Sequence, residues 1–455
     1  MRTRSSVIRR GVLCSFTLGA LLLAPRPAAA DLTLFDSDGW TFFTDGRINS
    51  FLSLGFGDDF PNRDTTDPTK LADPVGGGGQ YFTAGFPNDQ GYNHKFYGAR
   101  VRSGFLGSII AFGVKRQVTE WTSIKSYVSM WGTSESFARD RNNDAGLSTS
   151  KGFDMREGWI SLDGLWGTFI AGRQSGILGG ISTEIDFLYG HNFGVGLPCL
   201  EIYYPTCGHI GTGALGPGFA AGFSYLTPSL SGLRVKAALY DPVRLLGVWE
   251  RVPYPRPEGA IMYERRVTPA FLFKLQFEGM YQYMGQIASD RHDSVYGLAG
   301  GGRFEIGPFR LGLSAFYGRG LGTYVALQNA SSTFNGGSRN LRYFTGLYAQ
   351  TAVVFGREQV SAGIGRVKDD LLPEDRTDLS TSNLKYQTGI SGAFYHRLSE
   401  NLVLGIDYFY FRTDWWGGAA FSIDPTTMAP VASGGLLPGE KQVVQLVNVG
   451  ATFYW

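Results

Sequence analysis

Residues 442–455, QVVQLVNVGATFYW, decide the fold because their apolar side chains recur with a period of two. Apart from Gln445, every odd-numbered position in this stretch is apolar, and Asn448, Gly450 and Thr452 fall between them. Such alternation is typical of a β-strand with one apolar and one polar face. A strand of this kind must pair with another or leave an exposed edge, and a closed barrel supplies the partner. We therefore expect it to pair with the first strand, residues 41–56.

The first thirty residues have the pattern of a secretory signal peptide. Four arginines lie among residues 1–10, an apolar run covers residues 11–24, and three alanines precede Asp31. A basic start, a short apolar core and a small-residue cleavage site define such a peptide. The sequence predicts a cleaved signal peptide over residues 1–30 and a single barrel domain over residues 31–455. An uncleaved anchor is the alternative.

The composition fits an exported β-protein. Of 455 residues 64 are glycine, 14% are aromatic and 18% are charged. Without the five leader arginines the chain has 36 basic residues against 39 acidic ones, a net charge of about −3. This balance carries no basic footprint for nucleic acid. No other apolar run is long enough for a transmembrane helix, so a soluble β-sandwich or solenoid is the competing class.

Short links alternate with long polar ones along the chain, as in transmembrane barrels with short periplasmic turns and long outer loops. We predict sixteen strands, at residues 41–56, 97–118, 123–131, 155–163, 168–174, 219–226, 233–240, 260–266, 271–283, 294–305, 309–318, 342–354, 359–367, 384–398, 402–411 and 442–455. Counts of fourteen and eighteen stay open because strand boundaries are the least certain part of such an assignment.

The two faces of these strands differ in polarity, which indicates where water and lipid lie. One face carries Leu, Val, Phe and Tyr, and the other carries Arg, Lys, Gln, Glu and Asn. A barrel of this size is too wide for side chains to fill. The pattern therefore predicts an all-β transmembrane barrel, with a water-filled lumen inside and lipid outside.

Several segments resemble the general diffusion porins of Gram-negative outer membranes. Residues 156–174, REGWISLDGLWGTFIAGRQ, resemble the segment before the family's constriction loop, and residues 222–242 resemble the hairpin after it. Residues 31–35, DLTLF, resemble the family's start, and Trp455 stands where its last residue is usually Phe. The resemblance implies a homotrimer in the outer membrane that passes small hydrophilic solutes and ions by passive diffusion. It also implies contact with outer-membrane lipid and lipopolysaccharide, and recognition of Phe453 and Trp455 by the barrel-assembly machinery.

The same resemblance implies a constriction loop at residues 175–218 that folds into the barrel. Glu184 and Asp186 are its acidic candidates, although the family's Pro-Glu-Phe-Gly-Gly stretch is missing. The basic candidates for the facing wall are Arg47, Arg100, Arg102, Arg173 and Arg234. Opposed rows of fixed charge create a transverse field that sorts solutes by charge and dipole. The alternative is that these arginines are simply solvated lumen residues.

Only two cysteines remain after removal of the leader, and they are eight positions apart. In an exported chain, an even pair predicts a disulfide between Cys199 and Cys207. A metal site would need further ligands, and His209 is the only candidate close by.

No cofactor is expected. The acidic stretch of Asp369, Asp370, Asp375 and Asp378 could hold Ca²⁺, but it lacks the spacing of a calcium loop, and a solvated outer loop is the alternative.

The sequence does not predict an enzyme. None of the five histidines has a Ser or Cys partner at a recognisable spacing, and no His-Glu-x-x-His motif occurs. Two other functions stay open. One is a solute-selective channel for sugars or anions, and the other is an outer-membrane hydrolase built on a barrel.

Overall fold

The computed structural model of the chain describes residues 32–58, 73–77, 95–132, 154–189, 194–196, 206–243, 251–286, 290–325, 340–376, 381–417, 419–427, 430–436, 439 and 441–455. The predicted signal peptide lies outside these residues. No helix in these ranges is long and apolar enough to cross a membrane.

The described chain is almost entirely β-structure. Its strands are β1 Leu32–Ser37, β2 Trp40–Asp58, β3 Asp73–Gly77, β4 Lys95–Arg102, β5 Ser108–Thr119, β6 Thr122–Gly132, β7 Asp154–Gly164, β8 Gly167–Ser175, β9 Phe219–Leu226, β10 Leu233–Tyr240, β11 Arg256–Thr268, β12 Phe271–Gly285, β13 His292–Ile306, β14 Phe309–Arg319, β15 Tyr343–Phe355, β16 Glu358–Asp369, β17 Thr381–Arg397, β18 Leu402–Trp415, β19 Ala419–Ile423, β20 Pro430–Leu436 and β21 Lys441–Tyr454. One α-helix, α1 Gly180–Ile185, follows β8, and 3-10 helices occupy Gly322–Val325 and Pro373–Arg376.

Antiparallel pairing of neighbouring strands closes the sheet into a barrel. The tail strand β21 pairs with β18 on one side and with β2 on the other, so the predicted closure is confirmed. β4 and β5 both pair with β2 and form one interrupted strand, while β1 and β21 share one position beside β2. The wall therefore has sixteen strand positions, as predicted.

Alternation of exposure along the strands confirms the two-faced pattern. In β14 each residue from Phe309 to Tyr317 alternates between exposed and buried, with Leu311 and Leu313 on the exposed side. The exposed rows are apolar and large, as in Phe277 at 65% and Leu298 at 63% exposure. This face is the one that meets lipid.

Two connections differ from the prediction. The expected single strand over residues 97–118 breaks between β4 and β5, because the Asn49 side chain accepts from Gly104 N and donates to Gly107 O, both at 2.7 Å. The long link between the first two predicted strands, 41–56 and 97–118, contains β3, which pairs in parallel with β17. Neither feature leaves a period-two signal in the sequence.

Candidate functional site

Between β8 and β9, the described residues 176–189, 194–196 and 206–218 lie inside the barrel, as the resemblance implied. Gly176 N donates to Gly218 O at 2.7 Å, which joins the two ends of this constriction loop. Helix α1 packs against β12, β13 and β14. Farther along, Phe105 N donates to Gly194 O at 2.8 Å, so the loop reaches the break between β4 and β5. The loop therefore crosses the lumen from one wall to another.

Two buried glutamates hold the first part of the loop. Glu258 Oε2 accepts from Ile177 N at 2.6 Å and from Leu178 N at 3.0 Å. Glu278 accepts from Gly179 N at 2.6 Å and from Ile181 N at 3.2 Å. Carboxylates that accept backbone N–H groups form strong, directional bonds. The inward rows of β11 and β12 thus fix the start of α1.

The next strands continue this series of anchors. Gln350 Oε1 accepts from Phe187 N at 2.6 Å, and Gln359 Nε2 donates to Phe187 O at 2.8 Å. Tyr395 Oη donates to Leu188 O at 3.0 Å. In this way β15, β16 and β17 each supply a side chain that fixes the loop backbone.

The return part of the loop is held by a buried histidine. His209 Nε2 and Ser391 Oγ share a hydrogen bond at 2.6 Å, and His209 Nδ1 lies 3.2 Å from Thr212 Oγ1. The ring also lies against Tyr348 and Phe409, with centroids 4.6 and 5.0 Å away. Burial lowers the pKa of His209 from 6.5 to about 3, so the ring is neutral near pH 7.

Apolar contacts between loop and wall complete the anchoring. Ile181 and Ile185 of α1 join a buried cluster with Met280, Phe316 and Tyr348 of the wall. The inward rows of β12–β18 are therefore not uniformly polar, which corrects the expectation of a polar inner face. Their apolar residues cover the loop rather than face water, because a loop that folds inward needs its own packed surface.

A glycine permits the close approach of loop and wall on the return path. Gly213 has φ +114°, and a Cβ there would overlap the carbonyl oxygen of Leu347 on β15. Only glycine meets both requirements readily.

The wall from β5 to β8, together with β2, carries partly exposed cations on an aromatic floor. Lys125 Nζ lies over the rings of Phe43, Tyr127 and Trp159 at 4.7, 5.3 and 5.7 Å. Lys115 Nζ lies 5.1 Å above Phe43. These rings hold the ammonium groups by cation–π attraction while leaving them in contact with water. They present fixed positive charge to the lumen.

Glu184 faces a second group of cations below α1. Its carboxylate lies 2.8 Å from Lys274 Nζ and 3.6 Å from Arg303 Nη1. Glu184 lines a cavity of about 540 Å³ together with Arg234 and Lys236 of β10. The structure thus brings Glu184 and Arg234, both candidates from the sequence, to one space in the lumen.

Asp186 lies elsewhere. It is only 5% exposed, and its Oδ1 accepts from Leu188 N and Tyr189 N at 2.9 Å and from Gln350 Nε2 at 2.7 Å. Its charge stabilises the turn after α1 inside the protein, because the chain bends there and leaves these N–H groups to satisfy.

The predicted basic wall is dispersed. Arg173 lies on the ladder row of Ala221 and of Val128, which is 38% exposed, so it belongs to the outward face and not to the lumen. A shift of one residue in a strand moves a side chain to the opposite face. Arg102 is fully buried and Arg47 is partly exposed beside Tyr454. The side chain of Arg100 lies outside the described residues.

Sequence reasoning missed several lumen cations. They are Lys115, Lys125, Lys236, Lys274 and Arg303. Lys236 stands two positions after Arg234 in a strictly alternating strand, so its face could have been inferred. The proximity of Lys274 and Arg303 to Glu184 could not, because it depends on the path of the loop.

The structure describes some, but not all, of the residues in the predicted disulfide and in the acidic stretch considered for Ca²⁺. Cys207 is buried and disulfide-bonded, while Cys199 lies outside the described residues. Asp375 and Asp369 both pair with the buried guanidinium of Arg342. Asp370 pairs with Lys368, and Asp378 is not among the described residues. In the described ranges, no three His, Cys, Asp or Glu residues are grouped closely enough to hold a metal ion.

Comparisons with known proteins agree with this architecture. Residues 20–415 match the family described as Gram-negative porin. A search of curated proteins finds no match. The outer membrane channel DcaP of Acinetobacter baumannii is 12% identical with a TM-score of 0.61, over 93% of this chain and 100% of that one. The anion-selective porin from Comamonas acidovorans is 13% identical with a TM-score of 0.54, over 91% of this chain and 100% of that one. At such identities the likeness of the structures concerns the fold alone.

Proposed function

The chain belongs to the Gram-negative porin family and forms an outer-membrane channel for passive diffusion, and on that premise we propose that its constriction favours small anions. The family and fold are those of a channel rather than an enzyme. The preference for anions goes beyond the family and is argued from the charges of the lumen.

The unequal charge of the open lumen supports this proposal. Lys115 and Lys125 are fixed above aromatic rings, and Arg234 and Lys236 line the cavity below α1. The loop carboxylate that faces the cavity, Glu184, already has Lys274 and Arg303 as partners. Glu258 and Glu278 accept backbone N–H groups and are buried. Four cations, Arg234, Lys236, Arg266 and Lys274, thus outnumber the two acids of this cavity, Glu184 and Glu264. Such an excess of fixed positive charge attracts anions into the pore.

Planar-bilayer recording in a salt gradient tests the preference. We expect a reversal potential of the sign that indicates anion permeation, and Glu184→Gln should move it further in that direction. A reversal potential of cation-selective sign would contradict the proposal. Saturable flux of one sugar or anion in liposome swelling would instead support the solute-selective alternative.

We also propose that the channel is a homotrimer. The resemblance of residues 156–174 and 222–242 to the general diffusion porins, which form trimers, supports this proposal. Bilayer channels that close in three equal steps are expected, and single-step closure throughout would contradict the trimer.

A barrel-type hydrolase has one structural feature to consider, the His209–Ser391 pair. Both side chains are buried, at 1% and 4% exposure, and the second ring nitrogen faces Thr212 instead of a carboxylate. We propose that this pair holds the loop and does not catalyse hydrolysis. Esterase turnover by refolded protein that is lost in Ser391→Ala would contradict this.

A further inference from the structure

An apolar groove of about 670 Å³ crosses the outward surface of β12–β17. One ladder row runs along it, formed by Phe277, Gly300, Ala315, Leu347, Arg366 and Thr388. The row beside it is also apolar. The groove lies on the face that meets lipid, so water is not its natural occupant.

Side-chain size gives the groove its shape. Gly300 and Ala315 form a low floor, while Phe277 and Leu347, at 65% and 62% exposure, stand at its sides. From Phe277 to Arg366 the row crosses four strand spacings, which is about 19 Å at ~4.8 Å each. One leaflet of the hydrocarbon core is roughly 15 Å deep, so the groove has the length of a single acyl chain that lies obliquely.

Arg366 lines one end of this groove, and Lys385 lies near the same tyrosine ring as Arg366 and 4.3 Å from the ring centroid of Trp416. Arg366 Cζ lies 5.2 Å and Lys385 Nζ 5.6 Å from the ring centroid of Tyr386. Arg366 Nε donates to Thr388 Oγ1 at 2.8 Å, which fixes the orientation of the guanidinium. The short turn before Glu358 is on the periplasmic side, as short turns are in such barrels. Arg366 lies eight residues farther along β16, so this end of the groove lies toward the outer leaflet.

Among the described residues, these two cations differ from their neighbours in having no acidic partner. On the same part of the barrel, Arg412 pairs with Asp414 and Lys368 pairs with Asp370. No carboxylate of the described residues lies within ion-pair distance of Arg366 or Lys385. A cation on a lipid-facing surface needs a counter-charge because the membrane solvates it poorly. The missing counter-charge points to an anionic group on the occupant of the groove.

We propose that the groove holds one acyl chain of a phosphate-bearing lipid of the outer leaflet, whose phosphate binds Arg366 and Lys385. The apolar floor accepts the chain, and the planar guanidinium matches two phosphate oxygens. The lipid thereby neutralises both cations. This site is separate from the lumen and does not depend on the selectivity of the pore.

Native mass spectrometry of the full chain tests the site. The probes are a diphosphorylated lipid A and the same lipid without phosphates, added at equal concentration to detergent-solubilised protein. We expect the phosphorylated lipid to remain bound at one copy per chain and the other to be retained roughly tenfold less, because charge-assisted bonds to phosphate are lost. Equal retention of the two lipids would overturn the role of the phosphate.

Paired variants separate the two halves of the site. Arg366→Gln with Lys385→Gln should lower retention of the phosphorylated lipid to that of the other, while Arg265→Gln, outward on β11, should leave it unchanged. Ala315→Phe fills the floor from the exposed side and should abolish retention, whereas Ala237→Phe, equally outward on β10, should not. Wild-type retention by Ala315→Phe, or equal losses in the control variants, would overturn the groove as the binding site.

Discussion

The wall covered by the constriction loop and the wall open to water have the same alternation of inward and outward side chains, but their inward side chains have different roles. On β11–β18 many inward side chains are buried and bind the loop, as Glu258 and Glu278 do through its backbone N–H groups. On β5–β8 the inward cations stay partly exposed, as Lys115 and Lys125 do above their aromatic floor. An inward-facing charge is therefore structural or functional according to whether the loop covers it.

Removal of residues 453–455 is expected to have the largest effect, because it shortens the strand that closes the barrel. β21 pairs with β2 and β18, and Trp455 exchanges backbone hydrogen bonds with Gly46. We expect almost no heat-resistant, membrane-inserted protein by outer-membrane fractionation and gel mobility. Trp455→Phe keeps an aromatic ring and should assemble normally. Normal folded yield from the truncated chain would refute the role of these residues.

Loss of Glu258 and Glu278, which hold the start of the loop, should change the conductance of the pore. Glu258→Ala with Glu278→Ala leaves four backbone N–H groups of the loop without their acceptors, at about 1–3 kcal/mol each when they stay buried. We expect the loop to loosen and single-channel conductance to rise roughly twofold or more, since the loop narrows the lumen.

Glu264→Ala is the matched control for this pair. Glu264 lies on the same inward row of β11, but its side chain is 58% exposed and contacts Lys274. Its removal should leave the conductance unchanged. An unchanged conductance in the double variant would show that the two glutamates do not determine the position of the loop.

Acidification should weaken the contact between the return part of the loop and the wall, because His209 holds it. Its pKa in the folded protein is about 3, below the ordinary 6.5, because burial disfavours the charged ring. A released loop would bind the proton below pH 6.5, so the stabilisation is complete above that pH and falls as pH drops toward 3. The loss is about 1.4 kcal/mol for each pH unit in that window.

Conductance noise between pH 7 and pH 4 measures this effect. We expect loop fluctuations to increase with acid in the wild type. His209→Gln keeps hydrogen-bonding capacity without a titrating ring, so its noise should vary less with pH. The same pH response in both proteins would assign the effect to another group.

Substitution on the open wall should have the smallest effect on structure and a selective effect on ions. Lys115→Gln with Lys125→Gln removes two positive charges while the aromatic floor remains. The reversal potential should move toward zero with little change in folded yield. Arg265→Gln removes an outward charge and should leave the reversal potential unchanged. A shift in both variants would mean that overall charge, and not the lumen wall, sets the preference.

Much of the fold could be predicted from local pattern. Residues 233–240 alternate strictly between apolar and more polar side chains, and they form a strand with Arg234 on its inward face. The same reasoning assigned Arg173 to the lumen, but its ladder partners Gly158 and Ala221 belong to the outward face. A shift of one residue changes the face, and the short strand β8 has too few alternating residues to fix the register from sequence. This reasoning also missed the break before β5, which depends on Asn49 from another strand.

The candidate site was harder to predict because it joins distant parts of the chain. Glu184 and Asp186 are two positions apart, yet one faces Lys274 in a cavity and the other is buried against Gln350. Nothing in the sequence around them distinguishes these outcomes. The difference arises from the turn after α1 and from the wall that it meets.

The sequence by itself determined the membrane-spanning β-barrel and the closing role of residues 442–455, because alternation and link length act between neighbouring residues. The inward loop followed from the resemblance to porins. Only the tertiary structure decided which charges line the pore. Burial of an inward side chain depends on a loop that packs across the lumen, and that packing joins residues from opposite sides of the barrel. The alternation along a strand assigns a residue to the inward or outward face. Whether the loop covers that residue depends on contacts between residues far apart in the sequence.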